Sequence, residues 1–257
     1  MSSINSIGAA GSGYLYEALS SGSRINKAAD GAAELAISQE FQRQENGYDV
    51  GTRNMEDGVR AINIADGALS TITDSLQRIR ELGVKAGNGL LNAEDKQYIQ
   101  AEVEQLKKSI EDTADKANYN GIPLLDNEDG KVLLISSDAN GNMRPMSLVN
   151  GTLDALGIRD FDVTGDFDLK DIDNALASLN AGRSTLGAQS NGLEHAISNN
   201  QVASYNALAS ESAMMDTDYA EYVSKLKTQN LLEEMQARMQ KKRQEENANK
   251  ILGVIGN

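Results

Sequence analysis

Residues 41–76 read FQRQENGYDVGTRNMEDGVRAINIADGALSTITDSL, and every seventh position from Phe41, through Tyr48, Met55, Ile62 and Leu69 to Leu76, is apolar. With 40% of the chain hydrophobic, six chosen positions in one phase would all be apolar with a probability of about 0.004. A sustained seven-residue apolar period is the mark of a helix that packs along its length against other helices. The companion seam, Ile37, Gln44, Gly51, Gly58, Ala65, Ile72 and Ile79, is small in its middle, where a neighbouring helix could come close. Gly47, Gly51, Gly58 and Gly67 each cost roughly 1 kcal/mol of helix propensity relative to Ala. Tertiary packing must therefore supply stability that this helix lacks by itself. No proline interrupts the chain from Asn26 to Gly87. A helix from Asp30 to Lys85 would be about 84 Å long at 1.5 Å per residue, which predicts something elongated.

Outward from this segment, Gly87-Asn88-Gly89 breaks the helix and Asn92 is a predicted N-cap. A second helix carries Ile99, Val103, Leu106, Ile110 and Ala114 at three- and four-residue spacings and should fold back on the first. Tyr119 to Asp126 reads as irregular chain. Lys131 to Ser137 and Arg144 to Val149 flank an Asn-Gly turn signal within Asp138-Ala-Asn-Gly-Asn142, predicting a β-hairpin. A third long helix is marked by Ile172, Leu176, Leu179, Leu186, Leu193 and Ile197 and runs towards Ala209. A final amphipathic stretch, Asp218 to Lys250, carries Tyr219, Val223, Leu226, Leu232, Met235 and Met239. The expected fold is mainly α, an elongated antiparallel helical bundle or coiled-coil rod with a small β-hairpin region at its distal end.

Composition narrows the function classes. The chain has 257 residues, 4% aromatic side chains, no Trp and no Cys. That suits medium apolar seams better than a bulky globular core, and it removes disulfides, thiolate metal sites and thiol nucleophiles. A net charge of -14 repels nucleic acid phosphates and anionic lipid. No apolar run approaches the length needed to span a bilayer. The stretch Met1-Ser2-Ser3-Ile4-Asn5-Ser6-Ile7-Gly8 has neither the basic start nor the apolar block of a signal peptide, so export by the general secretory route is not expected. Neither nucleic acid nor membrane is an expected partner.

The sharpest chemical motif is the acidic run from Asp160 to Asp171, which nearly matches a calcium loop. Asp160, Asp162, Asp166 and Asp171 would be its ligands. Position five is Thr and position twelve the short Asp, so an acidic turn leading into the third helix, with Asp168 or Asp171 complementing its dipole, is the alternative. His195 is the single histidine, which leaves no imidazole pair, and it reads as a partly exposed seam-edge residue. No Gly-x-Ser-x-Gly elbow and no phosphate loop occurs; neither an enzyme nor a cofactor is expected. Met214, Met215, Met235 and Met239 read as core or subunit-contact packing. Lys241-Lys242-Arg243 before Glu245-Glu246 reads as a solvated helix face. The apolar Ile251-Leu252-Gly-Val254-Ile255 points to burial against a partner subunit.

The stretch from Leu19-Ser20-Ser21-Gly22-Ser23-Arg24-Ile25-Asn26 through Ala36-Ile37 resembles the N-terminal signature of bacterial flagellins, and Asn54-Met55-Glu56-Asp57-Gly58 continues the match. So do Leu76-Gln77-Arg78-Ile79-Arg80-Glu81-Leu82, Ile99-Gln100-Ala101-Glu102, Leu186-Gly187-Ala188-Gln189-Ser190-Asn191 and Asp216-Thr217-Asp218-Tyr219-Ala220-Glu221. The resemblance implies a structural, self-assembling filament subunit for motility, a short form without the variable outer domains. It implies export through the flagellar type III route to an extracellular flagellum, with a flagellar export chaperone and cap or hook-associated proteins as partners. Residues 1–24 and 216–257 would be terminal inner-tube helices, 25–117 and 168–215 the helical rod, and 118–167 an irregular and hairpin cap. Gln77, Arg78, Leu82 and Glu102 would be candidate contacts for Toll-like receptor 5. Flagellins usually carry a longer helical stretch before the Leu-Ser-Ser-Gly motif and a less charged C-terminal finish, whereas 18 residues precede Leu19 here; this implies either altered polymerisation or a lumen lined mainly by the C-terminal helix. The alternatives are a non-polymerising or junction-type relative acting as a secreted binding protein, and a calcium-binding helical module.

Overall fold

The computed structural model describes residues 13–127 and 131–255. In chain order the elements are α1 (residues 13–21), α2 (Ala32–Ala86), α3 (Ala93–Lys116), β1 (Asn118–Tyr119), β2 (Ile122–Pro123), β3 (Val132–Ser136), β4 (Met143–Ser147), α4 (Leu169–Met215) and α5 (Tyr219–Ile255). They form two compact units, residues 45–205 and residues 1–44 with 206–257. The first half of the expected N-terminal inner-tube segment, residues 1–12, which includes the stretch read for a signal peptide, lies outside the described residues, as do the apolar side chains of the 251–255 tail.

In the 45–205 unit the helices run antiparallel. Arg80 pairs with Asp173 at 2.6 Å, Arg183 with Asp66 at 2.7 Å, and Ser204 with Asp49 at 3.0 Å, so positions descend on α2 as they ascend on α4. Arg78 and Glu102, 2.8 Å apart, mark the return of α3 along α2. That return starts at Asn92, whose side chain caps α3 by accepting from the backbone of Asp95 while Asp95 reciprocates. The two predicted seams form the core: Met55, Leu69, Ile72 and Leu76 are fully buried and Ile62, Ala65 and Ile79 nearly so. Facing them are Ile99, Val103, Ile110 and Ala114 of α3 and Ile172, Leu179, Leu186 and Leu193 of α4. Each buried Leu or Ile contributes roughly 1.5–3 kcal/mol over its exposed state. Ile37, the first member of the companion seam, is 47% exposed.

Three expectations change. The small middle of the companion seam admits the hairpin rather than only a helix. A Cβ on Gly47 would overlap Ala139, one on Gly51 the Ser137 carbonyl, and one on Gly58 would meet Ile135 at 2.5 Å. Leu193 of α4 shares only the Gly58 site, at 3.2 Å. Leu106 is half-buried and Lys107 takes the inward position, its Nζ donating to Glu104 at 3.0 Å and to the Phe161 carbonyl at 3.4 Å. The stretch read as irregular from Tyr119 contains the β1–β2 pair, turned by Asn120 (φ 51°) and Gly121 (φ 78°). The larger hairpin pairs β3 with β4 in antiparallel register, Val132 opposite Ser147 and Ser136 opposite Met143. Asp138 holds its turn by accepting from the Asn140 and Asn142 backbone amides at 2.9 and 3.1 Å. The buried Asn200 amide donates to the Ser137 carbonyl at 2.6 Å, tying α4 to the hairpin.

Candidate functional site

In the unit of residues 1–44 and 206–257, the two stretches that bracket most of the chain are bonded to each other. Ser23 and Asp216 form an antiparallel bridge. The Arg24 amide donates to the Met215 carbonyl at 2.7 Å and the Thr217 amide to the Gly22 carbonyl at 2.9 Å. Gly22 has φ 74°, a left-handed turn at the end of α1 that suits glycine. Side chains reinforce the joint: Arg24 Nε donates to the Met214 carbonyl at 2.9 Å, Ser23 Oγ to the Met215 carbonyl at 3.2 Å and Tyr219 OH to the Leu19 carbonyl at 2.6 Å. Met214 and Met215 thus serve through their backbone carbonyls, not only as apolar filler. Tyr14 and Tyr222 share a hydrogen bond of 3.3 Å, and Tyr14 OH donates to the Arg24 carbonyl at 2.8 Å. The bond to Tyr222, with partial burial, pushes the Tyr14 phenol up to about 12. Nothing in the sequence signals this pair, because its members lie 208 positions apart and follow no shared period.

Beyond the joint, α5 presents an uncovered apolar row. Leu231, Leu232, Met235 and Met239 are 53–57% exposed. Leu232, Met235 and Met239 line a shallow groove with Gln236, Gln240 and Arg243. Spacings of three and four place them on one helix face. A row of this kind in water is unusual for a finished surface, because burying it is worth about 25 cal/mol per Å². The basic run at 241–243 is exposed, as the charge pattern predicts.

The four candidate receptor contacts separate. Gln77 and Arg78 are exposed on α2, and Glu102 is half-buried on α3. Arg78 donates to Glu102 at 2.9 Å and to Glu81 at 3.0 Å. Its hydrogen bond to Glu102 raises the guanidinium above its usual range. Leu82 is 3% exposed and belongs to the core. Its position on α2 faces inward with Ile79 and Ala86.

The acidic run does not form a calcium loop. Phe161 and Val163 turn inward, with Phe161 packed edge-on to Phe167 at 5.7 Å and the Val163 amide bonded to Gln100 at 2.9 Å. Their burial turns Asp160 and Asp162 outward instead of towards a common centre. Asp162 accepts from the backbone and hydroxyl of Thr164, both at 2.7 Å, and the hydroxyl bond is the main reason its carboxyl sits below the usual range. Asp166 and Asp171 are exposed, and Asp168 caps the start of α4 by accepting from the Lys170 amide at 2.9 Å. Among the described residues no three acidic or imidazole groups converge to hold a metal ion. His195 is exposed between the buried Leu193 and Ala196.

Comparison with known proteins gives these surfaces a context. Residues 1–129 match the family described as the bacterial flagellin N-terminal helical region, and residues 169–249 match its C-terminal helical region. The flagellar filament 33 kDa core protein of Treponema phagedenis is 36% identical over 238 residues, covering 84% of this chain and 83% of its own length. A flagellin of Bacillus subtilis (strain 168) is 34% identical over 255 residues, covering 84% of each chain. Among solved structures, Bacillus cereus flagellin is 32% identical with a TM-score of 0.52, covering 58% of this chain and 89% of that one.

Proposed function

The chain belongs to the bacterial flagellin family, and we propose that the apolar row on α5 is the surface by which its copies bury one another in a flagellar filament. The protein is a structural filament subunit of the flagellum and not an enzyme. The observation that carries this reading is the exposure of Leu231, Leu232, Met235 and Met239 on one helix, which neighbours of the same sequence would cover. The joint between the 19–24 and 214–219 segments supports it, because it holds α1 and α5 together at the base of that face. The expected result for Leu232→Asp combined with Met235→Asp is loss of filaments in electron micrographs after salting-out, with the thermal unfolding of the 45–205 unit unchanged. Normal filaments from this variant would exclude the assignment, and wild-type chains that stay monomeric under every assembly condition would favour the junction-type relative.

Membership of the family also supports the finer partners: the flagellar type III route, an export chaperone, and cap or hook-associated proteins at the growing end. Toll-like receptor 5 is proposed to read Gln77, Arg78 and Glu102 from the α2–α3 surface, with the Arg78–Glu102 pair at 2.8 Å as its ordered centre. Arg78→Ala is expected to lower the response of a receptor reporter cell while leaving the helical content unchanged; an unaltered response would remove this surface from consideration.

A further inference from the structure

We propose that Tyr14 and Tyr222 form a site for oxidative cross-linking, at which a one-electron oxidant of the peroxidase and hydrogen peroxide class joins the first and last described helices of a single chain through a tyrosine–tyrosine carbon bond. The two ring centroids are 6.3 Å apart, tilted by 47°, and their hydroxyls are within 3.3 Å. In a phenol, the radical left by loss of one electron and one proton is shared with the two ring carbons flanking the hydroxyl. Hydroxyls this close bring those carbons within a small rotation of each other. Tyr14 is 36% exposed, enough for an oxidant to reach the pair from solvent. The bond to the Arg24 carbonyl and the stacking of Lys225 over the Tyr222 ring at 5.2 Å keep both rings in place. The chain has no cysteine, so no thiol competes for the oxidant or offers an alternative covalent tie.

The step balances without other reactants. Each phenol gives up one electron and one proton, the peroxide accepts both pairs and leaves as two waters, and the two radicals couple through ring carbons flanking the hydroxyls. Each coupled carbon then loses its hydrogen as a proton while the ring regains its phenol, so the chain is lighter by two hydrogens. Tyr98 and Tyr205 are more exposed, at 68% and 70%, and among the described residues neither has another aromatic ring packed beside it, so an intermolecular link through them would depend on how often two molecules collide. The Tyr14–Tyr222 link therefore differs from theirs by being independent of protein concentration. Its effect is to close a loop across most of the chain, which restricts the unfolded state as a disulfide of the same span does.

The test uses the full-length monomer at low concentration, treated with horseradish peroxidase and hydrogen peroxide. The expected outcome is dityrosine fluorescence, a mass loss of two hydrogens in the monomer band, and a peptide map joining Tyr14 to Tyr222. Tyr14→Phe and Tyr222→Phe keep the rings and remove the coupling, so either should reduce the monomer signal to background, whereas Tyr98→Phe with Tyr205→Phe should leave it intact. A monomer link mapping to other tyrosines, or cross-linking seen only in dimers, would overturn the proposal. Circular dichroism of each Phe variant separates lost coupling from lost folding. Because the reaction is intramolecular, its outcome does not depend on whether the chain polymerises.

Discussion

Gly51 and Gly67 lie on the same helix and carry the same propensity cost, yet their surroundings give them opposite roles. A side chain on Gly51 would run into the Ser137 carbonyl, while one on Gly67 would meet open space. Gly51→Ala is expected to destabilise the 45–205 unit by about 1–3 kcal/mol, because the hairpin must shift to make room. Gly67→Ala should instead stabilise it by up to roughly 1 kcal/mol through helix propensity alone. Thermal unfolding of the two variants by circular dichroism checks both signs, and equal shifts would contradict the packing described. The sequence identified Gly51 as a place of close approach but not its occupant, since a missing side chain marks a gap and says nothing of what fills it. Leu82 teaches the converse: a motif of exposed character, Gln77 and Arg78, continues into a residue that the helix period turns into the core.

Among the elements, the β3–β4 hairpin depends on one carboxylate. Asp138 sits below the usual carboxylate range, chiefly because it accepts from the Asn142 side-chain amide at 2.6 Å, with the Asn142 and Asn140 backbone amides adding to this. A carboxyl whose pKa is lowered by folding stabilises the fold above its unfolded value, about 3.9, and loses that contribution as pH falls towards the folded value. Hydrogen exchange at the Asn140 and Asn142 amides should therefore be protected at neutral pH and lose protection only as pH falls below about 3.9 towards the lowered folded value. Asp138→Ala should show the unprotected rates throughout; an unchanged profile would mean that the turn is held by other bonds. The Asn-Gly signal made this hairpin legible, whereas its docking rests on side chains carried by other elements: Asn54 of α2 donates to the Ser136 carbonyl at 3.2 Å, and Asn200 of α4 lies 63 positions from its acceptor, Ser137. The acidic run failed as a metal motif for a related reason. Its alternate apolar residues, Phe161 and Val163, found a core to enter, and that burial outweighs any gain from gathering carboxylates.

At the scale of the whole molecule, a net charge of -14 means that copies repel before their apolar faces meet. Assembly should be slow at low ionic strength and faster when salt shortens the screening length from about 30 Å at 0.01 M to about 8 Å at 0.15 M. Light scattering across a salt series measures this, and a rate that falls with added salt would show that specific ion pairs, rather than apolar burial, drive association. By itself the sequence determined the helices, the seams along them, the hairpin and the family, because each is written in local period, turn chemistry or contiguous motif. Tertiary structure alone decided that the hairpin fills the glycine stripe of α2 and that the 19–24 segment bonds to 214–219 beside a touching tyrosine pair. Those outcomes depend on residues far apart in the chain meeting in space, and such meetings are chosen by the packing of all the elements together rather than by any one stretch.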